Sequence, residues 1–365
     1  MPGVVIRWLS ASERGAVADI WRSIESRTRV WWLACSWDWT EIWLTHYGDV
    51  VPHRFAVCEV SGRPCGITLV TRGVGRKRGP FTLRTVHLGT AGEPPDESVF
   101  VEYNRTLVEP EHRPAFAEAL LADIRRDRRW HELTLDGFEP SEAEPLLAAE
   151  PLLRPRHEIC PTTDLREAAA ADGNVLATLR SSTRRKVGRS LEKLGETESE
   201  WAETPEHALD ILSELIALHQ RRWTRAGEAG AFARPRFEKF HRELIPRLLS
   251  RAAVVLFRVR SERGTIGCLY HFVEGGRVLF YQSGFAPFED ARCNPGFVTF
   301  ALCMQACFER GLSEYDFLAP DSRYKRDLST TTRELVWATG RRPARRWDLV
   351  DRVAAIKQRA RVDVA

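Results

Sequence analysis

The sequence predicts an α/β fold in two lobes, each a mixed, largely antiparallel sheet flanked by helices. Three observations carry this. The chain has 365 residues, too many for one ordinary core and about right for two domains of ~150 to 200 residues each. Short β-prone runs alternate with amphipathic helical stripes in both halves. A Pro-, Glu- and Ala-rich stretch over 139–161 separates the halves and places the boundary near Cys160. The expected division is an N-terminal lobe over 1–160, a C-terminal lobe over 161–340 and a helical segment over 341–365.

Composition supports a folded chain and excludes several classes. With 43% hydrophobic and 28% charged residues it is ordinary for a globular protein. Lys and Arg number 54 against 50 Asp and Glu, and a net charge of +4 does not by itself imply nucleic acid. Eight cysteines show neither CxxC pairing nor Cys/His ligand spacing, so neither a metal site nor a disulfide framework is expected. Cys303 and Cys307, four apart on an apolar helix face, read as small buried thiols. No apolar run approaches the ~20 residues of a membrane span, and no secretory leader is evident at the N-terminus. The cytoplasm is the expected compartment, and oligomeric state is left unassigned.

In the first half, Phe55 to Val60 and Cys65 to Thr71 flank Ser61-Gly62-Arg63-Pro64 and predict a hairpin. Further strands are expected near Leu83 to Leu88 and His131 to Leu135, with a helix over Pro114 to Arg126 between them. In the second half, Thr204-Pro205-Glu206 reads as an N-cap, a first-turn Pro and an acidic first turn. The stripe Leu209, Leu212, Ile216, His219, Trp223 follows, with Trp223 expected in the core. A helix over Arg236 to Leu249 precedes three strands, Ala253 to Arg260, Thr265 to Val273 and Arg277 to Phe285, with Glu274-Gly275-Gly276 as the last tight turn. Asn294 and Pro295 start a helix that ends at Gly311, and Glu314 to Leu318 reads as a strand.

The second-half order, with Tyr281 to Phe285, Asn294-Pro295-Gly296, Tyr315-Asp316-Phe317-Leu318 and Tyr324-Lys325, resembles the CelD-like branch of the GNAT acyltransferases. It is also similar to the Fem-type peptidyl transferases, which are two GNAT lobes in tandem. The likeness is clear over 165–340 and fainter in the first half, through Trp37-Asp38-Trp39 and Trp43. It implies tandem GNAT-like lobes with catalysis in the second. One departure stands out. The acyl-carrier phosphate loop of ordinary GNAT enzymes has the form Q/R-x-x-G-x-G/A, whereas Ala291 to Gly296 holds that place with one glycine. Fem-type enzymes take aminoacyl-tRNA as donor, so two donors are implied, acyl-CoA and, as the alternative, aminoacyl-tRNA.

Candidate site residues follow from both readings. A helix start at Asn294 to Gly296 directs backbone N–H groups and the positive end of a dipole at an anion, with Arg292 beside it. Arg184, Arg185 and Lys186 lie on the basic side of the helix that begins at Ser181, a second place for phosphate. Tyr281, Gln282 and Ser283 put polar side chains into an apolar strand and are expected to line a cleft, as is Arg222. Lys325 stands in a polar loop with Asp321 and Tyr324. The resemblance assigns Lys325 the oxyanion charge that develops when an amine attacks a thioester or ester. His271 and Asp316 are the remaining proton acceptors.

The function expected is transfer of an acyl group, acetyl above all, from acyl-CoA to an amine. The acceptor is a small molecule or one related to envelope polysaccharide, and transfer is direct. The alternative is aminoacyl-tRNA-dependent amide formation. From another class comes a non-catalytic scaffold or nucleic-acid-binding protein on the same fold.

Overall fold

A computed structural model describes residues 3–28, 31–100, 102–290, 292–345, 347 and 350. The helix expected near the C-terminus, over Trp347 to Val362, lies outside the described residues apart from Trp347 and Val350. Among the described residues no helix is long and apolar enough to cross a membrane. The chain folds into two compact units that are not contiguous in sequence. Unit 1 comprises 1–24, 47–156 and 336–365, and unit 2 comprises 25–46 and 157–335.

In chain order the first elements are β1 (Val4–Ser10), α1 (Arg14–Glu25), α2 (Trp37–Tyr47), β2 (His53–Val60), β3 (Arg63–Gly73), β4 (Lys77–Arg78), β5 (Phe81–Thr82) and β6 (Thr85–Leu88). There follow β7 (Leu107–Val108), α3 (Arg113–Arg126), β8 (Glu132–Phe138), α4 (Pro140–Ala149), β9 (Leu153–Asp164), α5 (Val175–Thr178), α6 (Ser181–Leu194) and β10 (Thr197–Trp201). The remainder are α7 (Pro205–Arg225), α8 (Pro235–Leu249), β11 (Val254–Ser261), β12 (Gly264–Glu274), β13 (Arg277–Phe285), α9 (Pro295–Glu309), β14 (Glu314–Asp316), α10 (Arg323–Asp327) and β15 (Thr331–Arg341). The stretch 139–161 is therefore a helix and part of a twelve-residue strand, with the division between units falling inside that strand.

In unit 1 the strand order is β1-β2-β3-β6-β8-β15, with β7 also on β3. Every pair is antiparallel except β6 with β8, which α3 connects in parallel. The β2–β3 hairpin turns through Ser61 and Gly62, both at positive φ, which the short turn demands. Its core joins the inner faces of β2, β3 and β8 to one stripe of α3, with Phe116, Leu120, Leu121 and Ile124 all buried.

Unit 2 repeats the plan. Its order is β9-β14-β13-β12-β11-β10, all antiparallel except β13 with β14, which α9 connects in parallel. Gly275 and Gly276, at φ +56° and +80°, form the two-residue β12–β13 turn that the sequence predicts. Thr204 caps α7 by accepting the His207 N–H at 3.2 Å, and Pro205 opens the helix. One face of α9 contributes Phe297, Phe300, Cys303, Met304 and Cys307 to the core, so the two thiols are buried as expected. Trp39 of α2 packs edge-on against Phe240 and Phe272, at ring distances of 4.9 and 5.6 Å.

The ends of three elements are set by their backbone. Asn294 stands at the cap position of α9 but makes no side-chain cap bond; its carbonyl accepts from Phe297 and Val298. The helix at Ser181 likewise starts without a side-chain cap. The strand expected over Glu314 to Leu318 stops at Asp316, because Leu318 takes a left-handed φ of +58° that no strand allows.

The seat of α7 on the sheet is set by a glycine. A Cβ added to Gly284 would lie 2.5 Å from the Leu215 carbonyl oxygen and 2.8 Å from Leu218 Cβ. Backbone cannot yield as a flexible side chain does. Gly284→Ala is therefore expected to lower unfolding free energy by ~1–3 kcal/mol, read from urea melts, while Gly264→Ala, which meets nothing, changes it through backbone strain alone.

Candidate functional site

The cleft of unit 2 arises from the parallel pair. β13 and β14 are in register only over Arg277–Leu279 and Glu314–Asp316. Beyond Leu279 β13 continues to Phe285 with no ladder partner on that side among the described residues, and an opening forms next to it. A slip in the β12–β13 register, from Tyr270↔Gln282 to His271↔Phe280, leaves Tyr281 as a bulge residue. The strict alternation of a regular strand is broken there, and Phe280, Tyr281, Gln282, Ser283 and Phe285 all line the cleft.

The cleft measures about 880 Å³. One wall is the last turn of α7, with Arg221, Arg222, Trp223 and Arg225; another is the start of α9, with Asn294, Gly296 and Phe300; Tyr324 closes one end. Among the described residues no carboxylate lines it. Arg221, Arg222 and Arg225 are exposed and make no side-chain ion pair or hydrogen bond within the described residues. Three guanidinium groups on one helical turn give the opening a strongly positive rim. Trp223, expected in the core, is 39% exposed and lines the cleft. The buried stripe of α7 is Ala208, Ile211, Leu212, Leu215 and His219, and it ends one turn before Trp223.

Several side chains here are held in place. Tyr281 Oη lies 3.1 Å from His241 Nε2, whose Nδ1 lies 3.1 Å from Tyr270 Oη. His219 lies 3.2 Å from the Ser283 carbonyl through Nδ1 and accepts the Ala231 N–H at Nε2, so its ring is saturated in the neutral form. Burial pushes the Tyr324 hydroxyl up to about 12, opposed by nearby Arg222. It therefore keeps its proton at neutral pH. Its ring stacks on Phe300 at 6.0 Å, and the residue is 37% exposed.

The motif residues Asp316, Leu318 and Lys325 converge below Tyr324. Asp316 is fully buried and its Oδ1 accepts the Leu318 N–H at 2.7 Å. Lys325, only 7% exposed, donates through Nζ to the carbonyls of Leu318 and Ala319 at 2.8 and 3.2 Å. Together they clamp a residue in the left-handed region, where an unsupported leucine is strained. Neither side chain lines the cleft. Asp321 is ion-paired to Arg326 at 2.5 Å.

The other candidates divide. Asn294 and Gly296 border the cleft, and a Cβ on Gly296 would press the Phe285 ring at 3.3 Å. Within the described residues, only Gly296 of the first helical positions has an uncommitted N–H, since Pro295 has none and Phe297 donates to Asn294. Arg292 is bound to Asp290, whose carboxyl that guanidinium holds well below the usual range. Arg184 donates to the Leu179 carbonyl at 2.6 Å, and Lys186 pairs with Asp327 at 3.0 Å and sits 3.9 Å over the Phe297 ring. Arg185 is exposed outside the cleft. His271 is wholly buried on β12, 2.5 Å from Tyr315 Oη. Arg225 and His219 line the cleft but were not identified from sequence, although the run Arg221-Arg222-Trp223-x-Arg225 places its arginines within one turn.

Residues 179–326 match the family model described as "Acetyltransferase (GNAT) domain". No curated protein matches the chain in sequence. Among solved structures it is similar to FemX, at 12% identity over 87% of this chain and 95% of that one, with a TM-score of 0.54. It is also similar to the C-terminal domain of a putative lysylphosphatidylglycerol synthetase from Agrobacterium fabrum, at 14% identity over 89% and 91% of the two chains and a TM-score of 0.54. A third is L-PGS from Bacillus licheniformis, at 12% identity over 88% and 90% and a TM-score of 0.52. At such identities the likeness is one of fold.

The buried histidines make stability pH-dependent. Burial drives His241 and His271 down to about 3, so both are neutral in the folded chain and titrate near 6.5 when unfolded. With the folded pKa below the unfolded one, stability is complete above pH ~6.5 and is lost as pH falls from there toward 3, by ~2 kcal/mol per histidine at pH 5. Urea midpoints are expected to fall steeply between pH 7 and 5, and less steeply in His271→Gln. Equal midpoints at pH 7 and 5 would contradict the assignment.

Proposed function

We propose that this chain, whose residues 179–326 match an acetyltransferase (GNAT) domain and whose fold is similar to that of FemX, transfers an acyl group from acyl-CoA to a primary amine in one direct step. The observation that carries this reading is the cleft itself, where three unpaired guanidinium groups flank an unpaired strand edge. The arginines suit a donor bearing several phosphates, through charge-assisted bonds. The open edge of β13 suits an extended arm containing amides, which can add to it as a strand would.

The mechanism follows from what lines the cleft. The acyl carbonyl lies against β13 near the Tyr281 bulge, where backbone N–H groups outside the ladder, with Gln282 and Ser283, meet the oxyanion. The amine attacks that carbon, the tetrahedral adduct collapses, and the carbon–sulfur bond breaks. Tyr324 gives its proton to the departing thiolate, a task for which a phenol raised to about 12 remains loaded. Since among the described residues no carboxylate lines the cleft, and His219 is saturated, the amine attacks as the neutral base, and the proton its nitrogen then sheds passes through water to the Tyr324 phenolate and restores the phenol. Lys325 and Asp316 are positioning residues that fix the Leu318–Ala319 turn ahead of Tyr324.

A covalent route through Cys293 is disfavoured. Its thiol is buried, is pushed up by that burial, and does not line the cleft. A second donor, aminoacyl-tRNA, is favoured by one observation, the exposed arginines Arg185 and Arg189 on α6, which add a basic surface beyond the cleft.

Initial rates with acetyl-CoA and an amine acceptor test the proposal. Arg222→Ala is expected to raise the donor KM ~10-fold with kcat little changed, and Tyr324→Phe to lower kcat ~100-fold at constant donor KM. Lines varied in both substrates intersect, and Cys293→Ala retains most activity. Parallel lines with an acyl-enzyme absent from Cys293→Ala would overturn direct transfer. Transfer only from charged tRNA would replace the donor.

A further inference from the structure

Unit 1 contains the same parting of parallel strands. β6 and β8 pair over Thr85–His87 and Glu132–Thr134 only. The chain then leaves β6 through Gly89, at φ +90°, while β8 runs on past Asp136. A cavity of about 240 Å³ opens at that point, between the strands, the loop residues 90–100 and Asn104. Ligands gather at such divergences because backbone groups and side chains converge there without a sheet neighbour to cover them. Its chemistry is opposite to that of the cleft in unit 2. Glu93 and Asp136 line it, against one guanidinium, Arg76.

We propose that this cavity is a second ligand site, separate from acyl transfer, that takes a small organic primary ammonium. Glu93 carries the argument. It is 5% exposed, and its Oε1 accepts from Ser98 Oγ at 3.2 Å and the Val99 N–H at 3.1 Å, while its Oε2 is buried with no partner among the described residues. A buried carboxylate oxygen lacking a donor is costly, and a cationic N–H donor is the group that relieves it most. Burial pushes this carboxyl up, and an ammonium would hold it ionised. Phe100 closes one side of the cavity with its ring stacked on Trp337 at 6.3 Å, and an aromatic face next to carboxylates suits an alkylammonium.

Two other ligand classes fit less well. A metal ion would need convergent ligands, yet both His87 nitrogens are engaged, by Asp136 at 2.7 Å and Thr85 at 2.9 Å. Among the described residues these groups do not form a metal-ligand cluster. An anion would face Glu93 and Asp136. The volume corresponds to roughly eight waters, enough for a short aliphatic amine.

Calorimetric titration of the full chain with n-butylamine hydrochloride at pH 7.5, against 1-butanol of the same shape, tests this. Saturable binding of the amine, none of the alcohol, and at least ~10-fold weakening in Glu93→Gln are expected. Should Glu93→Gln fail to fold by circular dichroism, Phe100→Ala on the loop is expected to weaken binding ~5-fold. Equal binding of amine and alcohol, no saturation by the amine up to ~50 mM, or unchanged affinity in the folded variants would overturn the site. The titration reads no catalysis, so either result leaves the acyl-transfer reading where it stands.

Discussion

Two parallel neighbours, β13 and β14, stay paired for three residues and then separate, and the rest of unit 2 depends on that separation. It exists because the strands are joined by a crossover helix rather than a hairpin. α9 must cross from the end of one to the start of the other, and its N-terminal turn wedges Gly296 against Phe285. The bulge at Tyr281 adds local twist and turns consecutive side chains toward the opening. α7 can overhang the same strand because Gly284 lets its backbone approach. Remove the separation and the arginines of α7 would flank a closed sheet.

The proposed proton transfer adds a second requirement, rigidity at Tyr324. A phenol that donates a proton must be held within a fraction of an ångström of its target. Here the supporting structure is polar and buried. Asp316 and Lys325 grip opposite sides of one turn, through its N–H and its carbonyls, and Leu318 is held in a backbone region it would not choose. Buried charge is costly, and its presence this close to a cleft points to positioning rather than stability.

Much of the fold was legible because its signals are local. Gly275-Gly276, Thr204-Pro205 and the stripe of α9 each state one element, and the element order of the second half yields the mixed sheet. Tyr281, Gln282 and Ser283 were legible as cleft-lining residues because polar residues interrupt an apolar strand. What escaped was three-dimensional. Trp223 looked like core because helical periodicity does not tell where the sheet beneath a helix ends. Arg292 and Arg184 looked like phosphate ligands because sequence does not show that Asp290 and the Leu179 carbonyl already occupy them. That β15 completes the sheet of unit 1 while β9 completes that of unit 2 depends on strand pairings far apart in sequence.

The two units use one plan for opposite chemistries, a cationic cleft in one and an acidic cavity in the other, which shows how little the fold dictates what lines it. For unit 2 the central claim is that the donor lies along the open edge of β13. Backbone hydrogen exchange of the full chain, with and without saturating acetyl-CoA, tests this most directly. Bound acetyl-CoA is predicted to slow exchange in peptides covering Phe280 to Phe285, with little change across β11. Saturation by acetyl-CoA with unchanged exchange over Phe280 to Phe285 would contradict the account.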